Sequence, residues 1–311
     1  MSKEKWNAEN IPDQTETVVI VTGSSSGIGY EAARVLANKN AEVTIAVRSR
    51  EKGEAAVDKI RGQKKDAKVE LMLLDLADLA SIRSFSDEFK RKYSRLDRLI
   101  NNAGVMIPPY GKTKDGFELQ FGTNHLGHFA LTAQLIGILT ATAGSRIVNV
   151  SSGAHKAGKI DFNDLTWEKR GYSSWRAYGM SKIANLYFTY ELNRRLKASG
   201  PDSIANAAHP GYTATELQRT MPLAVLANAL FAQDISMGAL PTLRAAYDID
   251  SKGGDYYGPN GFMEMRGSPV KVDSNELSKD KVIAEKLWQV SEDLTGAKFD
   301  LGERSYSAKQ R

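Results

Sequence analysis

No cysteine occurs in the 311 residues. Disulfides, a thiolate nucleophile and cysteine-ligated zinc or iron–sulfur centres are therefore excluded. Histidine is scarce too, with four residues: His125, His128, His155 and His209. No two of them stand four apart around a glutamate, so no zinc site is expected. Long apolar runs are missing. The nearest to one is the 12-residue stretch 221–232, short of the roughly 18–20 residues that span a bilayer. It reads as a mobile lid or buried helix, or else as a membrane-surface contact. Residues 1–16 are polar and lack the apolar core of a signal peptide, so a cytoplasmic protein is expected. Charge of one sign is also lacking, since 42 Lys and Arg face 37 Asp and Glu for a net +5. The basic groups Lys64-Lys65, Lys90-Arg91-Lys92 and Arg194-Arg195 sit among acidic or apolar neighbours. They read as solvated helix faces, and no nucleic-acid partner is expected.

What the chain does contain is an alternation. Apolar strand-like runs lie at 18–21, 43–47, 69–74, 96–100, 146–150 and 204–208, with a weaker seventh near Tyr256-Tyr257. Helical patterns separate them, for example at 28–38, 51–60, 79–93, 117–139, 175–197 and 235–247. Strands alternating with helices imply a parallel sheet, and near-continuous apolar runs imply helices on both of its faces. The expected fold is α/β: one doubly wound Rossmann-type domain of about seven strands. It would occupy residues 1–311 with its core at about 16–300. Its ligand crevice would lie at the carboxyl ends of the strands. Two long loops, 153–174 and 212–233, follow strand ends and should overhang that crevice, the second as a substrate lid.

The first strand runs into Thr22-Gly23-Ser24-Ser25-Ser26-Gly27-Ile28-Gly29. Gly23 permits a tight turn, Gly27 lets a pyrophosphate approach the backbone, and Gly29 lets strand and helix pack closely. The helix amino end offers free N–H groups and partial positive charge to phosphates. After the second strand comes Arg48-Ser49-Arg50, where a cofactor with a free 2′-hydroxyl would usually meet an acid. A guanidinium at Arg48 suits a 2′-phosphate, so NADP(H) is favoured over NAD(H). Arg50 reads as a surface charge. Asp75-Leu76 ends the third strand, where a carboxylate could accept from adenine. Asn102-Ala103-Gly104 ends the fourth, leaving room for a ribose.

Tyr178 and Lys182 are four residues apart on one helical face. A free phenol with pKa near ~10 is a poor acid–base at pH 7, and an adjacent ammonium favours its ionised form. Ser152 could donate to a substrate oxygen as charge develops there. His125, His128 and His209 read as structural, while His155 could touch substrate. Tyr110, Trp175, Tyr212 and Phe231 could each serve either an apolar pocket or the core.

Taken together, these residues resemble the short-chain dehydrogenase/reductase family, in its retinol dehydrogenase-like branch. The resemblance rests on Thr22-Gly23-x-x-x-Gly27-x-Gly29, Asn102-Ala103-Gly104, Asn124, Ser152, Tyr178-x-x-x-Lys182 and Pro210-Gly211, in order, over about residues 16–300. It implies that Tyr178 transfers the proton and that Lys182 holds the nicotinamide ribose. It further implies that Ser152 positions the substrate oxygen and that Asn124 holds a water. Pro210, Gly211, Thr213 and Thr215 would contact the carboxamide. The implied activity is NADP(H)-dependent hydride transfer on an alcohol or its ketone or aldehyde. An epimerase or dehydratase using the same pair, or a silent NADP(H)-binding sensor, are the alternatives. A homodimer or homotetramer would form through the helices at 117–139 and 175–197.

Overall fold

The computed structural model describes residues 5–200, 202–213 and 233–301. A single eight-stranded sheet runs in the order β3-β2-β1-β4-β5-β6-β7-β8. Its strands are β1 (Val18–Thr22), β2 (Glu42–Val47), β3 (Val69–Leu73), β4 (Arg98–Asn101), β5 (Arg146–Val150), β6 (Ile204–Ala208), β7 (Tyr256–Pro259) and β8 (Pro269–Val272). All neighbouring pairs are parallel except β7 with β8, which is antiparallel. The doubly wound α/β expectation therefore holds, with one strand more than the seven anticipated. β8 begins on a proline and carries an outward Lys271. That suits a short edge strand and leaves no apolar run to read.

Seven longer helices cover the sheet among the described residues: α1 (Gly27–Asn38), α2 (Arg50–Gln63), α3 (Leu79–Lys92), α4 (Gly127–Ala141), α5 (Ser174–Ser199), α6 (Ile235–Tyr247) and α7 (Lys281–Thr295). Their ends follow local chemistry. Ser49, Asp78, Ser173 and Asp280 each accept a first-turn backbone N–H, and Gly200 and Gly296 close α5 and α7 in left-handed conformation. Ala32, Leu36 and Leu243 fill one side of the sheet, and Phe85, Phe89, Phe129 and Phe188 fill the other. Both faces of β1 are consequently buried along its whole length, as a continuously apolar strand requires.

Two expected elements come out differently. Strand pairing in β4 begins at Arg98, because the backbone N–H of Leu96 donates to Thr142 Oγ1 at 3.1 Å instead of to a neighbouring strand. The single helix expected at 117–139 is interrupted. Glu118 caps a short turn, Leu119–Phe121, and a π-helical turn, Gly122–Leu126, precedes α4. Such a bulge inserts a residue into the helix and commonly sits at a functional site. Here it presents Asn124 to the loop after β4.

The strand order reverses between β1 and β4. Their carboxyl ends thus frame the crevice in which open α/β sheets bind ligands. α4 and α5, the helices expected to pair two subunits, are covered by the chain itself. Trp288 of α7 lies against Phe129 and Phe188, with ring centroids at 5.2 and 5.9 Å, and Phe299 closes the same cluster.

Candidate active site

A cleft of about 390 Å³ opens at that reversal point. Its walls include Gly23, Ser25, Ser26, Gly27, Ile28 and Gly29 from the first turn, Arg48, Asp75 and Leu76 from the next two strand ends, and Asn102, Ala103 and Gly104 from the fourth. Tyr178, Lys182 and Pro210 also line it, whereas Ser152 does not and its neighbour Ser151 does.

The glycines are there for space. Gly23 and Gly27 have φ of +67° and +60°, the left-handed region that favours glycine. A Cβ on Gly23 would lie 2.8 Å from Ala103 Cα, and one on Gly29 would collide with the Asn102 side-chain amide. Ser26, the cap residue of α1, makes no side-chain capping bond. The first-turn N–H groups are left to a ligand, as an anion-binding helix start requires.

Thr22 locks this turn to the next. Its Oγ1 accepts from the N–H groups of Asn102 and Ala103, both at 2.9 Å, and pairs with His128 Nε2 at 2.9 Å. Asn102 Nδ2 donates back to Thr22 O at 2.9 Å. The two glycine-containing turns are thus one hydrogen-bonded unit.

At the far end, Lys182 Nζ donates to Val150 O at 3.1 Å and lies 5.6 Å from the Tyr178 ring centre. Burial pushes the Tyr178 hydroxyl up to about 12, opposed only by its hydrogen bond with Ser152. Burial pulls Lys182 down to about 8. In the protein alone the lysine therefore does not make the phenol acidic. Both shifts come from the desolvation that the two groups share.

Asn124 stands one layer behind the wall. Its Nδ2 donates to Val105 O at 3.0 Å and Ser181 Oγ at 2.9 Å, while its Oδ1 accepts from Val105 N at 2.8 Å. Both amide hydrogens are used, so the side chain braces the loop after β4 and offers no donor to a water. Gly104 makes room for it. A Cβ there would lie 3.1 Å from Asn124 Oδ1 and 3.6 Å from Lys182 Nζ. Gly211 and Thr213 also lie off the cleft wall. Gly211 turns with φ +65° against Pro259, and Thr213 Oγ1 donates to Pro210 O at 2.9 Å. Thr215, Phe231 and nearly all of the lid expected at 212–233 fall outside the described residues.

Residues 17–224 match the family of short chain dehydrogenases. The chain belongs to that family. Mouse retinol dehydrogenase 12 is 44% identical over 288 residues, covering 91% of this chain and 87% of that protein. Human retinol dehydrogenase 13 is 42% identical over 297 residues, covering 92% and 86%. A solved structure of an uncharacterized protein from Mycobacterium Paratuberculosis superposes with a TM-score of 0.81 at 42% identity, covering 95% of this chain and 99% of that one. Short chain dehydrogenases are oxidoreductases that use a nicotinamide cofactor.

Within this short chain dehydrogenase, the histidines serve the frame. His125 and His128 are fully buried, and burial pulls them down to about 3 and about 4. His155 is also buried, with Nδ1 at 2.7 Å from Ser152 O, so it holds the serine loop. His209 Nε2 lies 3.1 Å from Glu264. Tyr110 bonds Thr166 O and meets the edge of Tyr172.

Lys52 and Ser49 also line the cleft and were missed by the motifs. Lys52 follows Arg48 by four residues, and Ser49 caps the helix that carries it. That spacing beside a strand end was the available signal. Arg50, 66% exposed, faces Glu54 across 3.8 Å and leaves the cleft alone.

Proposed function

We propose that this protein is an NADP(H)-dependent dehydrogenase acting on the alcohol/carbonyl couple of a small apolar molecule. The observation that carries the reading is that Tyr178 and Lys182 line one glycine-built cleft with Arg48, with Ser152 hydrogen-bonded to Tyr178. The glycine cradle and the uncapped start of α1 fit a pyrophosphate. Arg48 and Lys52 at its adenosine end fit the added charge of a 2′-phosphate.

When bound, the nicotinamide ring supplies or accepts the hydride and, oxidised, adds a positive charge beside the phenol. The chain's own residues do the rest. Ser152 donates to the substrate oxygen and holds it over Tyr178. Tyr178 gives its proton to that oxygen in reduction and takes it in oxidation. Lys182, anchored by Val150 O, keeps an ammonium one turn away and favours the ionised phenol during oxidation. Asn124 is a positioning residue that fixes the loop after β4 and, through Ser181, the helix carrying Tyr178.

The relatives named retinol dehydrogenases support an apolar alcohol substrate class. Helices α4 and α5 are already covered by α7, which favours a chain that functions without pairing through them. The test is NADPH oxidation followed against a panel of ketones and aldehydes. Wild-type protein should turn over several. Tyr178→Phe should lose at least about a thousandfold in kcat while binding NADPH normally. Tight NADPH binding with no turnover of any carbonyl, or full activity in the phenylalanine variant, would overturn the reading.

A further inference from the structure

Among the described residues, everything after α5 reaches the cofactor cleft at a single point, Pro210. β7, β8, α6 and α7 supply no wall residue of their own. Pro210 follows β6 and Arg48 follows β2, with β1, β4 and β5 lying between those strands in the sheet. The proline therefore stands at the opposite end of the cleft from the guanidinium. It lies beside β5, whose last residue, Val150, accepts from Lys182.

A proline ring fixes φ, so ψ is the one soft dihedral left at Pro210, and it sets where the carbonyl points. That oxygen accepts two hydrogen bonds. Thr213 Oγ1 donates to it at 2.9 Å from three residues on and moves with the same turn. Gln233 Nε2 donates to it at 2.7 Å across 23 residues of chain. The other end of that amide is held as well, because Gln233 Oε1 accepts from Gly267 N at 3.1 Å, in the turn between β7 and β8. The backbone N–H of Gln233 donates to Tyr212 O at 2.9 Å, and Tyr212 N donates to Met265 O at 2.7 Å. Gln233 is only 8% exposed. A peptide N–H can only donate and a carbonyl can only accept, so these partners fix which end of the amide faces which. The segment has no slack around it. A Cβ on Gly211 would lie 2.4 Å from Met265 O, and one on Gly238 would lie 2.5 Å from Thr213 Oγ1.

We propose that Gln233 is a positioning residue for hydride transfer: it clamps the Pro210 carbonyl to the β7–β8 turn and so sets the wall against which the nicotinamide end of the dinucleotide is oriented. The inference rests on the dehydrogenase reading above. Gln233 does not line the cleft, so its loss turns a wall and removes no contact with the ligand. Hydride transfer senses such a change steeply, because the donor carbon and the carbonyl must be aligned near contact. The distant adenosine half does not sense it.

The experiment uses the full-length protein with NADPH and a carbonyl that wild type reduces. Wild type, Gln233→Leu and Gln233→Glu are each assayed at pH 8 and at pH 5.5. Gln233→Leu can make neither side-chain bond and should lower kcat about tenfold to a hundredfold at both pH values. Its Kd for 2′,5′-ADP, a probe of the Arg48 end, should stay at the wild-type value. Gln233→Glu carries a carboxylate at pH 8, turns a lone pair toward Pro210 O and should match the leucine variant. A buried carboxyl titrates above its usual ~4.3. At pH 5.5 it should therefore gain a proton, donate to Pro210 O and bring kcat back toward that of wild type at the same pH. The two pH values compare one protein with itself, so the glutamate variant decides the matter even if the leucine variant does not fold. A kcat ratio of Gln233→Glu to wild type that is the same at both pH values would overturn the proposal while the dehydrogenase reading stands. A loss of 2′,5′-ADP affinity as large as the loss of kcat would do so too. If wild type oxidises NADPH with no carbonyl, that reading fails and the proposal falls with it.

Discussion

Thr22 and His128 are 106 residues apart in sequence, and their side chains meet at 2.9 Å beneath the cofactor cleft. Through that contact α4 supports the hydroxyl on which the backbone N–H groups of Asn102 and Ala103 both converge. The floor of the site is thus held by a helix that contributes nothing to its wall.

Removing that hydroxyl should loosen the whole floor. Thr22→Val leaves two N–H groups without their acceptor and the imidazole Nε2 of His128 without its donor, at a cost of about 2–3 kcal/mol. Urea unfolding should show the lower midpoint, and NADPH affinity should fall with it. Thr22→Ser should keep both near wild type.

Acid should destabilise the fold through the buried histidines. His125 and His128 are held down to about 3 and about 4, against about 6.5 in an unfolded chain. Between those values the unfolded chain binds protons that the fold refuses. This contribution is full above about pH 6.5 and is lost as pH falls toward 4. Melting temperatures measured from pH 7 to 4 should drop steadily. His125→Phe should give a shallower slope.

Arg48 and Lys52 should separate the two dinucleotides. Arg48→Ala should raise the Kd for NADPH by roughly tenfold to a hundredfold, as expected for losing a charged phosphate contact, with little change for NADH. Lys52→Ala should do the same more weakly. Isothermal titration with both dinucleotides reads this directly, and equal losses for the two would refute the 2′-phosphate assignment.

Lys182 should make binding pH-dependent. Its ammonium, lowered to about 8 by burial, is charged below that pH and neutral above it. NADPH binding should weaken above about pH 8 in wild type and show no such break in Lys182→Met. Fluorescence titration across pH 6.5 to 9.5 checks it.

The protein should run as a single chain of 34.1 kDa in light scattering, because α7 already occupies the faces of α4 and α5. Trp288 joins the two through Phe129 and Phe188. Trp288→Ala should cost about 3–5 kcal/mol by leaving a cavity there. A dimer that survives Trp288→Ala would place the subunit contact elsewhere.

Local pattern alone carried the sheet, most helix positions and the cleft's glycine wall. Alternating apolar runs, caps and left-handed glycines act within a few residues, so the chain states them directly. The Tyr178–Lys182 pairing was legible for the same reason, being one helical turn. What needed three dimensions was anything set by distant packing. The edge strand β8 has no apolar run and exists because β7 gives it a partner. The break at Gly122–Leu126 follows from Asn124 reaching Val105. The burial that raises the Tyr178 hydroxyl and lowers Lys182 likewise comes only with the assembled fold. Exposure and desolvation belong to the whole assembled surface, and no stretch of sequence contains them.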